Sequence, residues 1–446
     1  MLSIGIDFGT SNSSVAVYDG REIRLLALDP QARDPRVMRS LLYITRDGEI
    51  IAGQRAQETY TEQNTGREVK LERRLVGEID MTFAEVGTLH RHVFGLVDVN
   101  EPGRLFQSMK RFLADTSFTS TDVFGRQYSL EELIATLAAK MIEAAESALG
   151  QPIKRMVVGR PVHFSDEPEK NEAARERLAE AWRTAGLDEV SFLEEPVAAV
   201  HHFGLEHGVE DGALVLVFDF GGGTLDITVA EQEGERPRVL ATGGIPLGGD
   251  LLDSRLVEAE VAPCFGERAR YRRTGLPAPA HLFTRLRSWQ TIVELNRPEL
   301  LELIRRARRG TDQPAELAAF ETLVTRNYGF ELFRAVEAAK IDLSSAAIAA
   351  VALDLNGLSL HKEVLRSDWE AILSPQVRAA RDVVLGTLIG AGREPGEVGY
   401  VVTTGGSSLI PAFRRMLHET LPNAALRETD TFTSVAAGLA LWGAAR

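Results

Sequence analysis

The chain has 446 residues, of which 44% are hydrophobic and 26% charged, and its 50 Lys and Arg against 64 Asp and Glu give a formal charge of -14. This length and composition predict a folded protein of about two to four domains and exclude a disordered chain. The acidic balance disfavours phosphate backbones and anionic lipid, so we expect neither a nucleic-acid nor a membrane partner.

The N-terminus, MLSIGIDFGT, carries Asp7 and has no basic stretch before a long apolar core, so it does not predict a secretory signal. No uncharged apolar run approaches the roughly 18 to 20 residues that span a bilayer. Cys264 is the only cysteine, which excludes an intrachain disulfide and favours a reducing compartment. We therefore expect a cytoplasmic protein.

Strands come first along the chain. Alternating and β-branched residues predict strands over roughly 2–8 and 12–18, and Asp19-Gly20 is typical of a two-residue hairpin turn. A second hairpin is predicted around Asp47-Gly48. These elements give the N-terminal segment an antiparallel start.

Helices and strands then alternate, which is typical of an α/β fold. A capping-box serine, Ser129, and a terminating Gly150 bound a predicted helix. A buried strand at 156–158 and a charged helix over 168–185 follow. The short polar segment 207–213 precedes a new apolar strand, and we place the boundary between two lobes there.

The strongest motif is an internal repeat. IDFGTSNSSVAV aligns with FDFGGGTLDITV and pairs Asp7 with Asp219 and Gly9 with Gly221. A turn of small residues lets backbone N–H groups approach phosphate oxygens, and hydroxyl groups nearby add hydrogen bonds. Each copy alone has a plain alternative, a tight hairpin whose Asp satisfies its own turn, but the matched duplication argues against it.

Carboxylates from the two copies predict a magnesium site, held through water molecules. From the residues alone, Asp7 and Asp226 are the first choices for this site, and Asp219 is the next.

Three further segments suggest a cleft. In FLEEPVAAVHHFG, Pro196 suits the first position of a helix, so Glu195 lies just outside the helix and projects into a cleft, or else caps the helix dipole. In VVTTGGSSLIPAF, a Gly-Gly turn precedes a helix opening at Pro411. In FRAVEAAKIDLSS, Glu337 and Lys340 share a helical face and either hold ribose hydroxyls or form an ordinary surface pair.

Together these motifs resemble the nucleotide-binding domain of the DnaK-type heat-shock chaperones, within the actin and sugar-kinase ATPase superfamily. In chain order they are IGIDFGTSNSSVAV, SMKRFL, VVGRPVHF, AGLDEVSFLEEPVAAV, VFDFGGGTLDITV, GGDLLDSRL, EAAKIDLS and TTGGSSLIP. The resemblance implies an α/β chain with the actin-like ATPase fold, in which two lobes, each with a ribonuclease-H-like core sheet and flanking helices, enclose a nucleotide cleft.

The resemblance also implies boundaries. Lobe I is expected at 1–208, lobe II at 209–431 with an enlarged helical insertion at about 255–335, and a C-terminal helix at 432–446 that packs back on lobe I. The chain is most similar in organisation to short, YegD-like members of the family, so we expect no peptide-binding domain.

ATP or ADP with Mg²⁺ is the implied ligand. The implied metal contacts are Asp7 and Asp219. The implied catalytic residues are Lys110, which orients the attacking water, and Glu195, Asp226 and Thr224. The implied nucleotide-binding residues are Thr10, Ser11, Asn12, Gly221, Gly222, Gly223, Thr224, Gly248, Gly249, Glu337, Lys340, Ser344, Gly405, Gly406 and Ser407.

The sequence departs from the family around the base. Ile341 and Leu409 replace two arginines that sandwich adenine, and Phe432 replaces an acidic residue, so we expect an apolar and less selective base pocket. The insertion contains the basic stretches GERARYRR and ELIRRARRG, which are better explained as solvated faces of amphipathic helices than as a nucleic-acid patch. We expect the insertion to face a partner or to gate the cleft.

The leading hypothesis is an ATP-binding, slowly hydrolysing protein of the chaperone family, a monomer whose lobe motion is read by a protein partner that the sequence does not identify. One alternative is a small-molecule kinase of the same superfamily. The other is a nucleotide-sensing scaffold without turnover.

Overall fold

The computed structural model describes residues 2–83, 87–165, 167–234, 236–428 and 433–444. Strands and helices alternate in two successive groups, which meet at the segment 207–213. We call residues 2–207 the first lobe and residues 214–428 the second lobe.

The strands of the first lobe are β1 (Ser3–Phe8), β2 (Asn12–Tyr18), β3 (Ile23–Leu25), β4 (Val37–Arg39), β5 (Leu41–Thr45), β6 (Ile50–Ala52), β7 (Leu71–Phe83), β8 (Gly87–Asp98), β9 (Gly103–Gln107), β10 (Ser120–Val123), β11 (Arg126–Ser129), β12 (Arg155–Arg160) and β13 (Glu189–Glu194). Its helices are α1 (Gly53–Asn64), α2 (Leu130–Leu149), α3 (Pro168–Thr184) and α4 (Glu195–His207).

The strands of the second lobe are β14 (Leu214–Phe220), β15 (Leu225–Glu233), β16 (Arg236–Ile245), β17 (Ile348–Leu355), β18 (Leu358–Leu365), β19 (Val398–Thr404) and β20 (Ala425–Glu428). Its helices are α5 (Gly249–Leu256), α6 (Ala280–Phe283), α7 (Trp289–Val293), α8 (Pro298–Gly310), α9 (Pro314–Thr325), α10 (Gly329–Leu343), α11 (Arg366–Gly390) and α12 (Pro411–Thr420), and α13 (Ser434–Ala444) follows.

The main sheets of the two lobes have the same topology. The first has the strand order β13-β12-β1-β2-β3, and the second has the order β20-β19-β14-β15-β16. In each, the Asp-Phe-Gly strand, β1 or β14, pairs antiparallel with the next strand and parallel with a strand that returns after a helical crossover. The sequence repeat therefore extends from one hairpin to the whole core sheet.

The structure contains the helix and the two hairpins for which the local sequence pattern was strongest. α2 begins with a capping box, in which the Glu132 backbone N–H donates to Ser129 Oγ (3.1 Å) and the Ser129 backbone N–H donates to the Glu132 carboxylate (2.8 Å). Gly150 ends the helix in the left-handed conformation, at φ 72°. The hairpins predicted at Asp19-Gly20 and Asp47-Gly48 join β2 to β3 and β5 to β6.

The three largest buried clusters of the described residues form the cores of the lobes and the base between them. One fills the first lobe and a larger one the second, while a third joins the two sheets through α4 and α13. Small residues allow α13 to lie directly on β1 and α4, since a Cβ at Gly5 would meet the backbone of Ala440 and one at Gly438 would meet the backbone of Ala198. The cleft thus has a shared apolar base.

Of the two basic stretches, ELIRRARRG lies on α8 and its arginines are paired, whereas GERARYRR, at 266–273, lies in turns and isolated bridges, so the expectation of a helical face was wrong for it. On α8, Glu321 of α9 accepts ion pairs from Arg305 and Arg308, while Glu302 accepts them from Arg306 and Arg309. This pairing favours the solvated-face interpretation over a nucleic-acid patch. Among the helices of the described residues, none has the length and apolarity required to cross a bilayer.

Candidate functional site

The glycine-rich turns after β1 and β14 face each other across a cavity of about 370 Å³ between the lobes. The duplicated motif therefore supplies both walls. The predicted residues that line the cavity are Asp7, Thr10, Ser11, Asn12, Lys110, Glu195, Asp219, Gly221, Gly222, Gly223, Thr224, Asp226, Gly405 and Gly406.

Glycine is required where backbones approach closely at this cavity. A Cβ at Gly222 would lie 2.1 Å from Ser11 Oγ of the opposite lobe, so these two turns touch. Gly405 has φ 75°, and its Cβ would lie 2.4 Å from the backbone of Phe220. Larger residues at these positions would push the turns apart.

A cluster of charged groups occupies the floor of the cavity. Lys110 is only 8% exposed and donates to Glu195 Oε1 at 2.5 Å. Burial alone would lower the pKa of Lys110, but Glu195, Asp7 and Asp219 together raise it above its ordinary value. The ammonium is therefore charged, and its partners on three different elements converge on it.

The three aspartates of this cluster, Asp7, Asp219 and Asp226, are buried close to other carboxylates, which disfavours their charged forms. Burial and Glu195 raise the pKa of Asp219 to about 7, and burial raises that of Asp226 to about 6 although Thr224 Oγ1 donates to it at 2.7 Å. Burial and the same Glu195 carboxylate raise the pKa of Asp7 well above its usual range. The site has an excess of negative charge that a cation would relieve.

Glu195 differs slightly from the sequence prediction. It is the first residue of α4, with Glu194 at the N-cap, so it does not lie outside the helix. Its carboxylate nevertheless lines the cavity, because the first turn of α4 begins at the end of β13.

Six predicted residues do not line the cavity. Gly248 and Gly249 lie behind the β14–β15 turn, where the Gly249 N–H donates to Gly221 O at 3.0 Å. Ser407 Oγ donates to the same carbonyl at 3.1 Å. Ser344 donates to Lys340 O of its own helix at 3.5 Å. The remaining two, on α10, have ionic partners.

The α10 residues are already paired. Lys340 Nζ donates to Asp253 Oδ2 (2.9 Å) and to Gly249 O (3.3 Å). Glu337 pairs across the cleft with Arg39 at 3.3 Å. Asp253 and Arg39 are residues that the sequence prediction missed, since the contact with Arg39 joins positions 298 residues apart.

The sequence prediction also missed part of the rim. Arg111 lines the cavity, approaches Gly223, and pairs across the cleft with Asp250 at 3.2 Å. His163 and Phe164 line it as well. Arg111 directly follows Lys110 and Asp250 directly follows the Gly-Gly pair, so proximity to predicted residues was the only local signal for them.

Two apolar side chains near the site are solvent-exposed, Ile341 by 55% and Leu409 by 37%. Ile341 follows Lys340 on α10, and Leu409 follows Ser408 in the segment between β19 and α12. Phe432, the third departure from the family, lies outside the described residues.

Comparisons with known proteins decide the family. A family model described as "Hsp70 protein" matches residues 3–269 and 325–445. The chain belongs to the Hsp70 family. The predicted DnaK-type resemblance and the two-lobed, actin-like ATPase fold are confirmed.

Relatives of this Hsp70-family chain include proteins named "Chaperone protein DnaK". One from Thermus thermophilus is 28% identical over 450 residues, covering 98% of this chain and 60% of the relative. One from Stenotrophomonas maltophilia is 27% identical over 453 residues, covering 99% and 59%. The chain thus spans about 60% of the length of the curated relatives it matches.

The family match is interrupted between residues 269 and 325. This interval lies inside the predicted insertion and contains α6 to α8 and most of α9. These helices are therefore a feature of this chain rather than of the family model.

Proposed function

We propose that this chain binds ATP with Mg²⁺, hydrolyses it slowly, and transmits the resulting change in lobe arrangement to a protein partner. The main observation that supports this proposal is the Lys110–Glu195 pair, which lies among three aspartates between two facing glycine-rich turns. Family membership and the chaperone names of the relatives support this reading.

Phosphate recognition follows from the turns. Backbone N–H groups at Gly222 and Gly223, with the hydroxyls of Thr10 and Ser11, suit the oxygens of a polyphosphate. Arg111 adds a guanidinium at the rim. Donors from both lobes would bind the same chain of phosphates, so nucleotide binding would favour the closed cleft.

The carboxylates suit magnesium. Asp7 and Asp219 are removed from solvent. The carboxylates of the cluster outnumber the Lys110 ammonium, so a bound cation would stabilise their charged forms. Among the described residues no group of three or more His, Cys, Asp or Glu is arranged to hold a metal directly, so these two aspartates would hold the ion through its waters. When bound, magnesium neutralises charge on the transferring phosphoryl group.

Hydrolysis requires a positioned water. Lys110 is charged and fixed by Glu195, so its ammonium would hold the attacking water and stabilise negative charge at the terminal phosphate. The carboxylates of Glu195 and Asp226 would orient that water in line with the phosphorus and accept its proton. Thr224 fixes the Asp226 carboxylate through its hydroxyl.

The deciding experiment is calorimetric titration of ATP and ADP with magnesium into the wild type and an Asp7→Ala, Gly222→Val variant, with phosphate release measured on the same samples. Binding with slow release, both lost in the variant, supports the proposal. Tight binding without release favours a nucleotide-sensing scaffold, and conversion of ATP to ADP without free phosphate, seen only when a small-molecule acceptor is added, favours a kinase. Failure to bind either nucleotide overturns the proposal.

A further inference from the structure

An aromatic cluster connects the lobes on one side of the cleft. Tyr60 of α1, in the first lobe, contacts two rings of the second: Trp289 at a centroid distance of 5.5 Å and Phe330 at 4.8 Å. Trp289 and Phe330 contact each other at 5.2 Å, and Tyr43 backs Tyr60 at 5.8 Å. We call these four rings the aromatic clamp.

Backbone contacts beside the aromatic clamp join the same two lobes. The Gly66 N–H donates to Arg326 O at 2.8 Å, and Asn327 Nδ2 donates to Asn64 O at 3.0 Å. Asn327 is 8% exposed and has φ 51°, so this turn is held in a left-handed conformation where it meets the first lobe. The clamp is therefore a specific junction and not a chance contact of two surfaces.

The insertion supplies one of the rings that contact Tyr60. Trp289 begins α7 within the interval that the family model does not match. α7 packs on the start of α10, where a Cβ at Gly329 would lie 3.1 Å from Ile292. This packing sets Trp289 beside Phe330.

The rings of the clamp differ in burial. Tyr60 is 5% exposed, whereas Trp289 and Phe330 are only partly buried, as expected of a contact that can separate.

One rigid element connects the clamp to the site. α10 carries Phe330 of the clamp in its first turn and Glu337 and Lys340 further along, and Glu337 pairs with Arg39 across the cleft. Phe330 and Glu337 are separated by roughly 10 Å along a helix that rises 1.5 Å per residue. Separating the rings therefore moves the helix that carries Glu337, whose ion pair with Arg39 crosses the cleft.

We infer that the insertion regulates nucleotide exchange: Trp289, docked on Tyr60 across the cleft, must leave its position before bound nucleotide escapes. This inference rests on the proposed function, because it concerns the same cleft. It gives the insertion the role of a gate.

The test is stopped-flow release of ADP that carries a fluorescent N-methylanthraniloyl group, chased with unlabelled ATP and magnesium. Trp289→Ala and Tyr60→Ala are each expected to speed release roughly tenfold or more, because truncation removes several aromatic contacts. The double variant should release no faster than the quicker single variant, because both changes open one contact. Trp289→Phe should restore slow release.

Tyr271→Ala is the matched control, since Tyr271 lies in the same insertion but packs on Gly310 of α8. It should release nucleotide at the wild-type rate. Unchanged release in Trp289→Ala, effects of the single variants that multiply, or an equal acceleration in Tyr271→Ala would overturn the inference.

A nucleotide-independent measurement separates failure of the gate from failure of the proposed function. In the free protein, amide hydrogen exchange across residues 60–66 should be faster in Trp289→Ala than in the wild type, because the Gly66 amide loses its partner when the lobes part. Labelled ADP that does not bind the wild type counts against the proposed function. Unchanged exchange across residues 60–66 counts against the clamp itself.

Discussion

Lys110 illustrates how burial and charge create function at a single residue. The side chain is almost fully removed from solvent, yet its neighbours keep it protonated. The sequence alone does not indicate that Lys110 is buried, since SMKRFL is an ordinary basic stretch and only the family resemblance identifies it. Asp7 and Asp219 differ, because their repeated Asp-Phe-Gly context predicts their place beside a turn.

Lys110→Ala is expected to lower the rate of phosphate release by about 10²- to 10³-fold, the usual loss when one transition-state donor is removed. ATP affinity should change far less, because the turns supply most phosphate contacts. Single-turnover assays and calorimetry on the same sample measure both, and circular dichroism checks folding. Lys140→Ala, which removes an exposed lysine on α2, is the control. Unchanged turnover with intact binding would remove Lys110 from the catalytic group.

Ile341→Arg, combined with Leu409→Arg, should tighten ATP binding about 2- to 30-fold, because a guanidinium on a base contributes roughly 0.5–2 kcal/mol. Both positions are exposed, so the long side chains fit without repacking the core. Competition between ATP and tripolyphosphate measures the base contribution directly. An increase for tripolyphosphate as large as for ATP would show a general charge effect and not a base contact.

Glu101 gives a pH dependence of stability away from the cleft. Burial raises its pKa to about 7. The charged and titratable groups around it are Arg104, Asp98, Arg67, Arg46, Tyr43 and Tyr60. A carboxyl whose pKa is raised on folding stabilises the folded state while protonated, so its contribution falls as pH rises from about 4.5 to about 7.

Glu101→Gln should therefore gain stability relative to the wild type between pH 5 and pH 8, since the amide stays neutral. Urea midpoints at the two pH values measure the difference. The exposed Glu62→Gln variant should show no such gain. A wild-type advantage that grows with pH would contradict the assignment.

At the scale of elements, the sequence predicted what local chemistry determines. The α2 helix, both hairpins and the duplicated strand-turn-strand unit follow from caps, turn residues and periodicity within a few positions of one another. Contacts between distant segments were not predictable this way. Asp250 meets Arg111 across 139 positions, and Trp289 meets Tyr60 only because α7 packs on α10.

Ser129→Ala should lower the free energy of unfolding by about 1 kcal/mol, because the first turn of α2 loses its side-chain acceptor. The denaturant midpoint measures this loss. Ser147→Ala, at an exposed position in the same helix, should be neutral or slightly stabilising because alanine is the better helix former. Equal effects of the two substitutions would mean that the capping box contributes nothing.

At the scale of the whole molecule, the repeated topology explains why one small ligand can order two lobes. Each lobe has its own core, and they share an apolar base formed by α4 and α13. Above that base, the described contacts across the cleft include two exposed ion pairs, Arg39–Glu337 and Arg111–Asp250, the aromatic clamp and the hydrogen bonds beside it. Exposed pairs contribute little, typically below about 1 kcal/mol.

Nucleotide should therefore raise the stability of both lobes together. At a concentration of ADP and magnesium about 100 times the dissociation constant, the expected gain is about 2.7 kcal/mol. Calorimetric melts should show the lobes unfolding in one transition at a higher temperature, and chelation of magnesium should reverse most of the shift. Gly222→Val should abolish the gain, because a Cβ at that position would lie 2.1 Å from Ser11 Oγ and separate the two turns. If ligand raised the transition of one lobe while the other melted unchanged, the phosphates would be held by a single turn, and closure of the cleft would need a cause other than nucleotide binding.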